Sequence, residues 1–68
     1  MDKKQIGIMV KFYRGALSQK ELAQMVWPGD DENLARNRIA KYEKGLAMPP
    51  ADVYLRIKSI YDNIRGQA

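Results

Sequence analysis

The fold prediction rests on the stretch RNRIAKYEKG, residues 36–45. Successive residues of an α-helix are rotated by about 100°. If this stretch is helical, Ile39 and Tyr42 lie on one face together with the preceding Ala35. The opposite face carries three polar side chains: Asn37, Lys41 and Lys44. Gly45 suits the end of such a helix. The pattern therefore predicts a short helix that packs through its apolar face and presents its polar face outward.

The polar face of this predicted helix suits the major groove of DNA. Arg36 and Arg38 flank it, so the stretch presents four cations and one amide. Arg and Lys side chains reach guanine edges or phosphates, and Asn pairs with adenine. The alternative is an ordinary solvated helix face, which charged residues form in most proteins. These ten residues alone leave both interpretations open.

Length and composition favour one small binding domain. The chain has 68 residues, with 12 Lys+Arg against 8 Asp+Glu and a net charge of +4, which favours a polyanionic partner. It contains no Cys and no His, which excludes disulfides and Cys- or His-based metal and nucleophile sites. We expect no enzymatic activity, no catalytic residue, no cofactor, no metal and no small-molecule ligand.

Hydropathy along the chain predicts a cytoplasmic protein. No apolar run approaches the length of a membrane span, and the first residues lack the apolar segment of a signal peptide. We also expect no separate sensor or oligomerisation domain.

Two capping boxes predict the first two helices. Asp2 with Gln5 opens a helix over about 3–14, which Gly15 can end. Ser18 with Glu21 opens a second helix, in which three apolar residues face inward: Leu22, Ala23 and Val26. The sequence Trp27-Pro28-Gly29 then ends this helix, because a proline disfavours helical geometry at the residue before it.

The third helix has two possible starts. Asp30 or Asp31 can cap a helix that begins before the basic stretch, which we favour, or the helix begins near Ala35. Pro49-Pro50 leads into a fourth helix with an apolar stripe of six residues: Val53, Tyr54, Ile57, Ile60, Tyr61 and Ile64. The last three residues, 66–68, are expected to fray.

Two motifs and a proline resemble a known family. The blocks LSQKELA (17–23) and IAKYEKG (39–45), followed by Pro49, are similar to the Cro/lambda-repressor-like helix-turn-helix (XRE) family over about residues 6–61. The resemblance implies an all-α, four- or five-helix DNA-binding domain spanning 1–68, with its core at about 3–65. It also implies a bacterial or phage-encoded, nucleoid-associated transcriptional regulator, with repression as the expected mode. Such a regulator would occupy a double-stranded operator as a homodimer.

The resemblance also implies roles for single residues. Ser18 would cap the second helix and Gln19 would contact a phosphate beside it. Four residues would read bases: Arg36, Asn37, Arg38 and Lys41. Lys44 would contact a phosphate. The alternatives are plain capping for Ser18, a solvated amide for Gln19, and for Lys44 a favourable interaction with the negative end of its own helix.

Other residues are expected to pack the domain. Glu43 should pair with a cation of the first helix, either Lys11 or Arg14, because a carboxylate aimed at DNA would repel phosphates. Trp27 should form an apolar lid beside the second helix. The fourth helix is the candidate dimer interface through Tyr54, Ile57, Tyr61 and Ile64; the alternative is that these residues form the protein's own core.

The chain departs from the family pattern at an apparent insertion over about 27–32. This segment either loops away from the duplex or lengthens the third helix, and its acids should avoid phosphates. A different function is compatible with the same fold, namely a protein-interaction module such as an antitoxin-like or phage accessory component. A single-stranded nucleic-acid binder is less favoured, because no aromatic stacking platform is evident.

Overall fold

The computed structural model describes residues 2–67, which contain four α-helices and no strand. They are α1 (Lys3–Arg14), α2 (Gln19–Val26), α3 (Glu32–Glu43) and α4 (Ala51–Gly66). The predicted all-α class is therefore confirmed, with four helices. Gly66, which was expected to fray, still belongs to α4. Ala68 lies outside the described residues.

Local hydrogen bonds start the first two helices where the capping boxes predict. The backbone N–H of Gln5 donates to the Asp2 carboxylate at 2.8 Å, and the Gln5 side chain accepts from the Asp2 N–H at 3.0 Å. The Ser18 hydroxyl accepts from the Glu21 N–H at 3.0 Å, and Glu21 accepts in return from the Ser18 N–H at 2.8 Å. Each pair satisfies backbone donors that a helix start leaves without intrahelical partners.

The third helix takes the earlier of its two predicted starts. One carboxylate oxygen of Asp31 accepts the N–H groups of Asn33 at 3.0 Å and Leu34 at 3.1 Å, so α3 begins at Glu32. The alternative start near Ala35 is wrong, because Asp31 is a good capping residue and alanine is a poor one. Both predicted alternatives therefore apply to parts of the apparent insertion. Residues 27–31 form the connector between α2 and α3, and Glu32 lengthens α3.

Gly45 turns the chain away from α3. It has φ 74°, a conformation that glycine adopts without steric cost. Its N–H donates to the Tyr42 carbonyl at 3.1 Å, and the Leu46 N–H donates to the Lys41 carbonyl at 3.0 Å. This pair of bonds is a Schellman motif, which satisfies carbonyls at the end of the helix. The predicted helix end at Gly45 is confirmed.

All four helices contribute to one apolar core. The buried side chains are Val10, Leu22, Ala23, Val26, Ala35, Ile39, Tyr42, Val53 and Ile57. Ile57 has no exposed surface, so its proposed place in a dimer interface is wrong; it belongs to the core of the chain itself. One part of the predicted apolar stripe of α4 thus lies in the core, and the other part forms a half-exposed edge of the helix.

Helix α1 crosses the end of α3 at very short range, and Gly7 makes this possible. A Cβ atom at Gly7 would lie 2.5 Å from the carbonyl oxygen of Tyr42 and 2.9 Å from that of Glu43. No larger residue fits there without backbone movement. The close approach fixes where the C-terminal half of α3 lies on the domain.

Candidate nucleic-acid interface

The polar side chains of α3 are exposed and its apolar side chains are buried. Ala35, Ile39 and Tyr42 are at most 7% exposed. Five polar residues predicted to contact DNA are exposed: Arg36, Asn37, Arg38, Lys41 and Lys44. The predicted orientation of the helix is therefore confirmed.

Glu43, the acid in the C-terminal half of α3, is turned inward. Its side chain is 7% exposed and pairs with Arg14, whose Nε donates to one carboxylate oxygen at 2.7 Å and whose second terminal nitrogen donates to the other at 3.1 Å. Arg14 also donates to the Leu17 carbonyl at 2.9 Å. Of the two partners predicted for Glu43, the structure selects Arg14. The pair joins the end of α1 to the end of α3.

Gln19 belongs to the same network. It is half-buried, and its side-chain amide donates to Glu43 at 3.2 Å, which ties the first residue of α2 to the last residue of α3. The solvated amide that was the alternative for Gln19 is thus not observed. Ser18 is exposed and caps α2. A phosphate contact by Ser18 or Gln19 stays a prediction.

Arg38 is held against the connector between α2 and α3. Its guanidinium donates to Asp30 at 3.1 Å and lies over the Trp27 ring, 5.0 Å from the ring centroid. Trp27 is half-buried and packs beside Tyr42, with ring centroids 6.4 Å apart, so its predicted role as an apolar lid is confirmed. Burial raises the pKa of Tyr42, and the positive charge of Arg38 opposes that shift. The connector thereby orients one of the four cations.

The other three cations predicted to contact DNA, two on α3 and one at its C-cap, differ from Arg38. Among residues 2–67, no carboxylate lies within ion-pair distance of Arg36, Lys41 or Lys44. Their charges are therefore uncompensated at short range, and they leave the outer face of α3 locally positive. Such a face attracts an anionic partner.

The first turn of α3 extends the exposed face beyond the residues singled out by the sequence motif. Glu32 accepts from Lys20 at 3.1 Å and from Gln24 at 2.8 Å, which fastens this turn to α2. Asn33 and Leu34, one turn before Asn37, are exposed, and Leu34 is 61% exposed. Neither was predicted as a site residue. Asp31 is the sequence feature that could have predicted them, because a helix capped at Asp31 includes both residues in its first turn.

No family model, no curated protein and no solved structure matches this chain. The family resemblance is therefore a hypothesis carried by the motifs at 17–23 and 39–45. Within residues 2–67, none of the helices combines the length and the apolar character needed to cross a membrane.

Proposed function

We propose that this protein is a sequence-specific, double-stranded DNA-binding transcriptional regulator of the XRE type that places α3 in the major groove. Repression by occupancy of an operator is its expected mode. The observation that carries the proposal is the charge distribution on α3. α3 contains two carboxylates, and both are paired with cations outside the helix: Glu32 with Lys20 and Glu43 with Arg14. The exposed face of α3 is therefore left with amides, cations and one large apolar residue, Leu34.

Two kinds of contact follow from this face. Asn37 and Arg36 are suited to base edges, since Asn pairs with adenine and Arg donates two hydrogen bonds to guanine. Lys44, at the end of α3, is suited to a phosphate. Base contacts discriminate between sequences, whereas phosphate contacts strengthen binding to any duplex.

The test begins with selection of bound duplexes from random DNA, followed by filter-binding titrations on the selected and on a scrambled duplex. Asn37→Ala should weaken binding to the selected duplex by about 5- to 150-fold, as the loss of one good base contact does, and leave the scrambled duplex nearly unaffected. Lys44→Ala should weaken both and reduce the salt slope by about one unit. Lys58→Ala is the matched control, because Lys58 is also an exposed cation but lies on α4. Lys58→Ala should leave binding to both duplexes nearly unchanged, and equal losses on both duplexes for Asn37→Ala would contradict base readout.

The proposal includes a homodimer. A single domain offers one recognition helix, and two half-sites about one helical turn apart build the affinity that operators need. The exposed edge of α4 is the candidate contact, with Tyr61 half-exposed and Ile64 43% exposed. Sedimentation of the protein alone and with a selected duplex tests this. A monomer that also binds DNA singly would exclude the homodimer while leaving DNA binding intact.

One observation favours the second candidate function, a protein-interaction module of the same fold. An apolar groove of about 290 Å³ lies between the end of α1 and the end of α4, lined in part by Tyr13, Leu17, Tyr61 and Ile64. Apolar grooves of this kind accept side chains of a protein partner. If selection from random DNA yields no preferred duplex and binding to any DNA is negligible, the first function is contradicted.

A further inference from the structure

Leu34 is a large apolar residue on the exposed side of α3. It is 61% exposed and lies in the first turn of α3, where its backbone N–H is fixed by the Asp31 carboxylate at 3.1 Å. It precedes Asn37 by three residues and Lys41 by seven, a spacing that puts all three on one face of the helix. Leu34 is therefore an apolar group at the edge of a polar, positively charged surface.

The contacts of Glu32 determine which way Leu34 points. Glu32 is held toward α2 by Lys20 at 3.1 Å and Gln24 at 2.8 Å. Two residues later the helix has turned by about 200°, so Leu34 lies on the side of α3 that faces away from α2, where 61% of it is exposed. The same rotation carries it to the side on which Asn37 and Lys41 project.

A major groove offers one apolar group to such a side chain. Adenine, guanine and cytosine present donors and acceptors there, whereas thymine also presents its 5-methyl group. We propose that Leu34 is a specificity-determining residue that contacts a thymine methyl group in the recognised sequence. This inference rests on the proposed function. It extends that function to the recognition of thymine, a base that the exposed amides and cations of α3 do not select.

The helix geometry also places the thymine. Three residues advance an α-helix by about 4.5 Å. Successive base pairs are about 3.4 Å apart. The thymine under Leu34 therefore lies within one or two base pairs of the adenine read by Asn37. Burying one methyl group against Leu34 strengthens binding by about four-fold.

Single replacements of thymine by deoxyuridine in a selected duplex test the proposal, because each removes one methyl group and keeps every hydrogen-bonding atom. Wild-type protein should bind about four-fold more weakly when one thymine next to the Asn37 site is replaced. Leu34→Ala should bind the thymine and deoxyuridine duplexes equally. Leu55→Ala is the matched control, since Leu55 is also 61% exposed but lies on α4; this variant should keep the full sensitivity of the wild type.

The outcomes separate this inference from the proposed function. If the wild type selects no duplex, the proposed function fails and the inference fails with it. If the wild type selects a duplex but no thymine replacement near the Asn37 site weakens binding, Leu34 does not contact a methyl group and DNA recognition still stands. Methyl sensitivity that persists in Leu34→Ala would assign the contact to another residue and would also overturn the proposal.

Discussion

Replacing Glu43 by glutamine should destabilise the domain strongly, because it leaves the charge of Arg14 without its partner. The loss of one member of a buried ion pair costs about 3–5 kcal/mol. Arg14 is 19% exposed and keeps its hydrogen bond to the Leu17 carbonyl, so water and that carbonyl compensate part of the loss. We therefore expect Glu43→Gln to lower the free energy of unfolding by about 2–3 kcal/mol.

Urea and thermal unfolding followed by circular dichroism measure this effect. A domain of this size has a total stability of about 3–10 kcal/mol, so the variant loses a large share of it. The midpoint of thermal unfolding should fall by about 8–24 °C. Glu32→Gln is the matched control. Its pair with Lys20 has both side chains more than half exposed, and its loss should cost less than about 1 kcal/mol.

A double replacement distinguishes charge from packing. Arg14→Met combined with Glu43→Leu removes both charges and should recover most of the stability, because neither ion is then left buried alone. If Glu43→Gln destabilises no more than Glu32→Gln, or if the double variant is as unstable as the single one, the pair does not hold α1 to α3 in the way described.

Three further outcomes follow from local contacts. Gly7→Ala should lower the free energy of unfolding by about 1–3 kcal/mol, because the alanine Cβ would clash with the Tyr42 carbonyl. This loss should occur despite the better helix propensity of alanine. A gain in thermal stability would contradict the close crossing of α1 and α3. Asp31→Ala should cost about 1 kcal/mol in urea unfolding, since it removes the cap of α3; no change would mean that the cap is dispensable. Hydrogen bonds from the Ser18 backbone, and secondarily from its hydroxyl, lower the pKa of Glu21. A lowered folded pKa gives stability that is present above the unfolded value of 4.5 and is lost as the pH falls through the folded value. The stability difference between wild type and Glu21→Gln should therefore shrink below pH 4.5, and a constant difference would refute this.

The sequence predicts the helices well where their signals are local. The capping boxes at Asp2 and Ser18 join residues three apart, and the hydrogen bonds at Gly45 span one helical turn, so distant parts of the chain do not alter them. The burial of Ile39 and Tyr42 follows from helical spacing for the same reason.

Contacts between distant segments are less predictable. The sequence narrows the partner of Glu43 to Lys11 or Arg14, and only the relative position of α1 and α3 decides between them. An apolar stripe such as that of α4 does not reveal whether Ile57 faces its own core or another chain, since burial in either place requires the same residue types. The contact of Arg38 with the connector depends on the path of that turn, which no repeating pattern encodes.

The stacking of Arg38 on Trp27 has a practical consequence. Trp27 is the one tryptophan in the chain, and the indole lies 5.0 Å from a cation on the flank of α3. Indole fluorescence is sensitive to a charge at that distance. Any ligand that draws Arg38 away from the ring should therefore change the emission of the unlabelled protein, which provides a built-in optical reporter of what happens on α3.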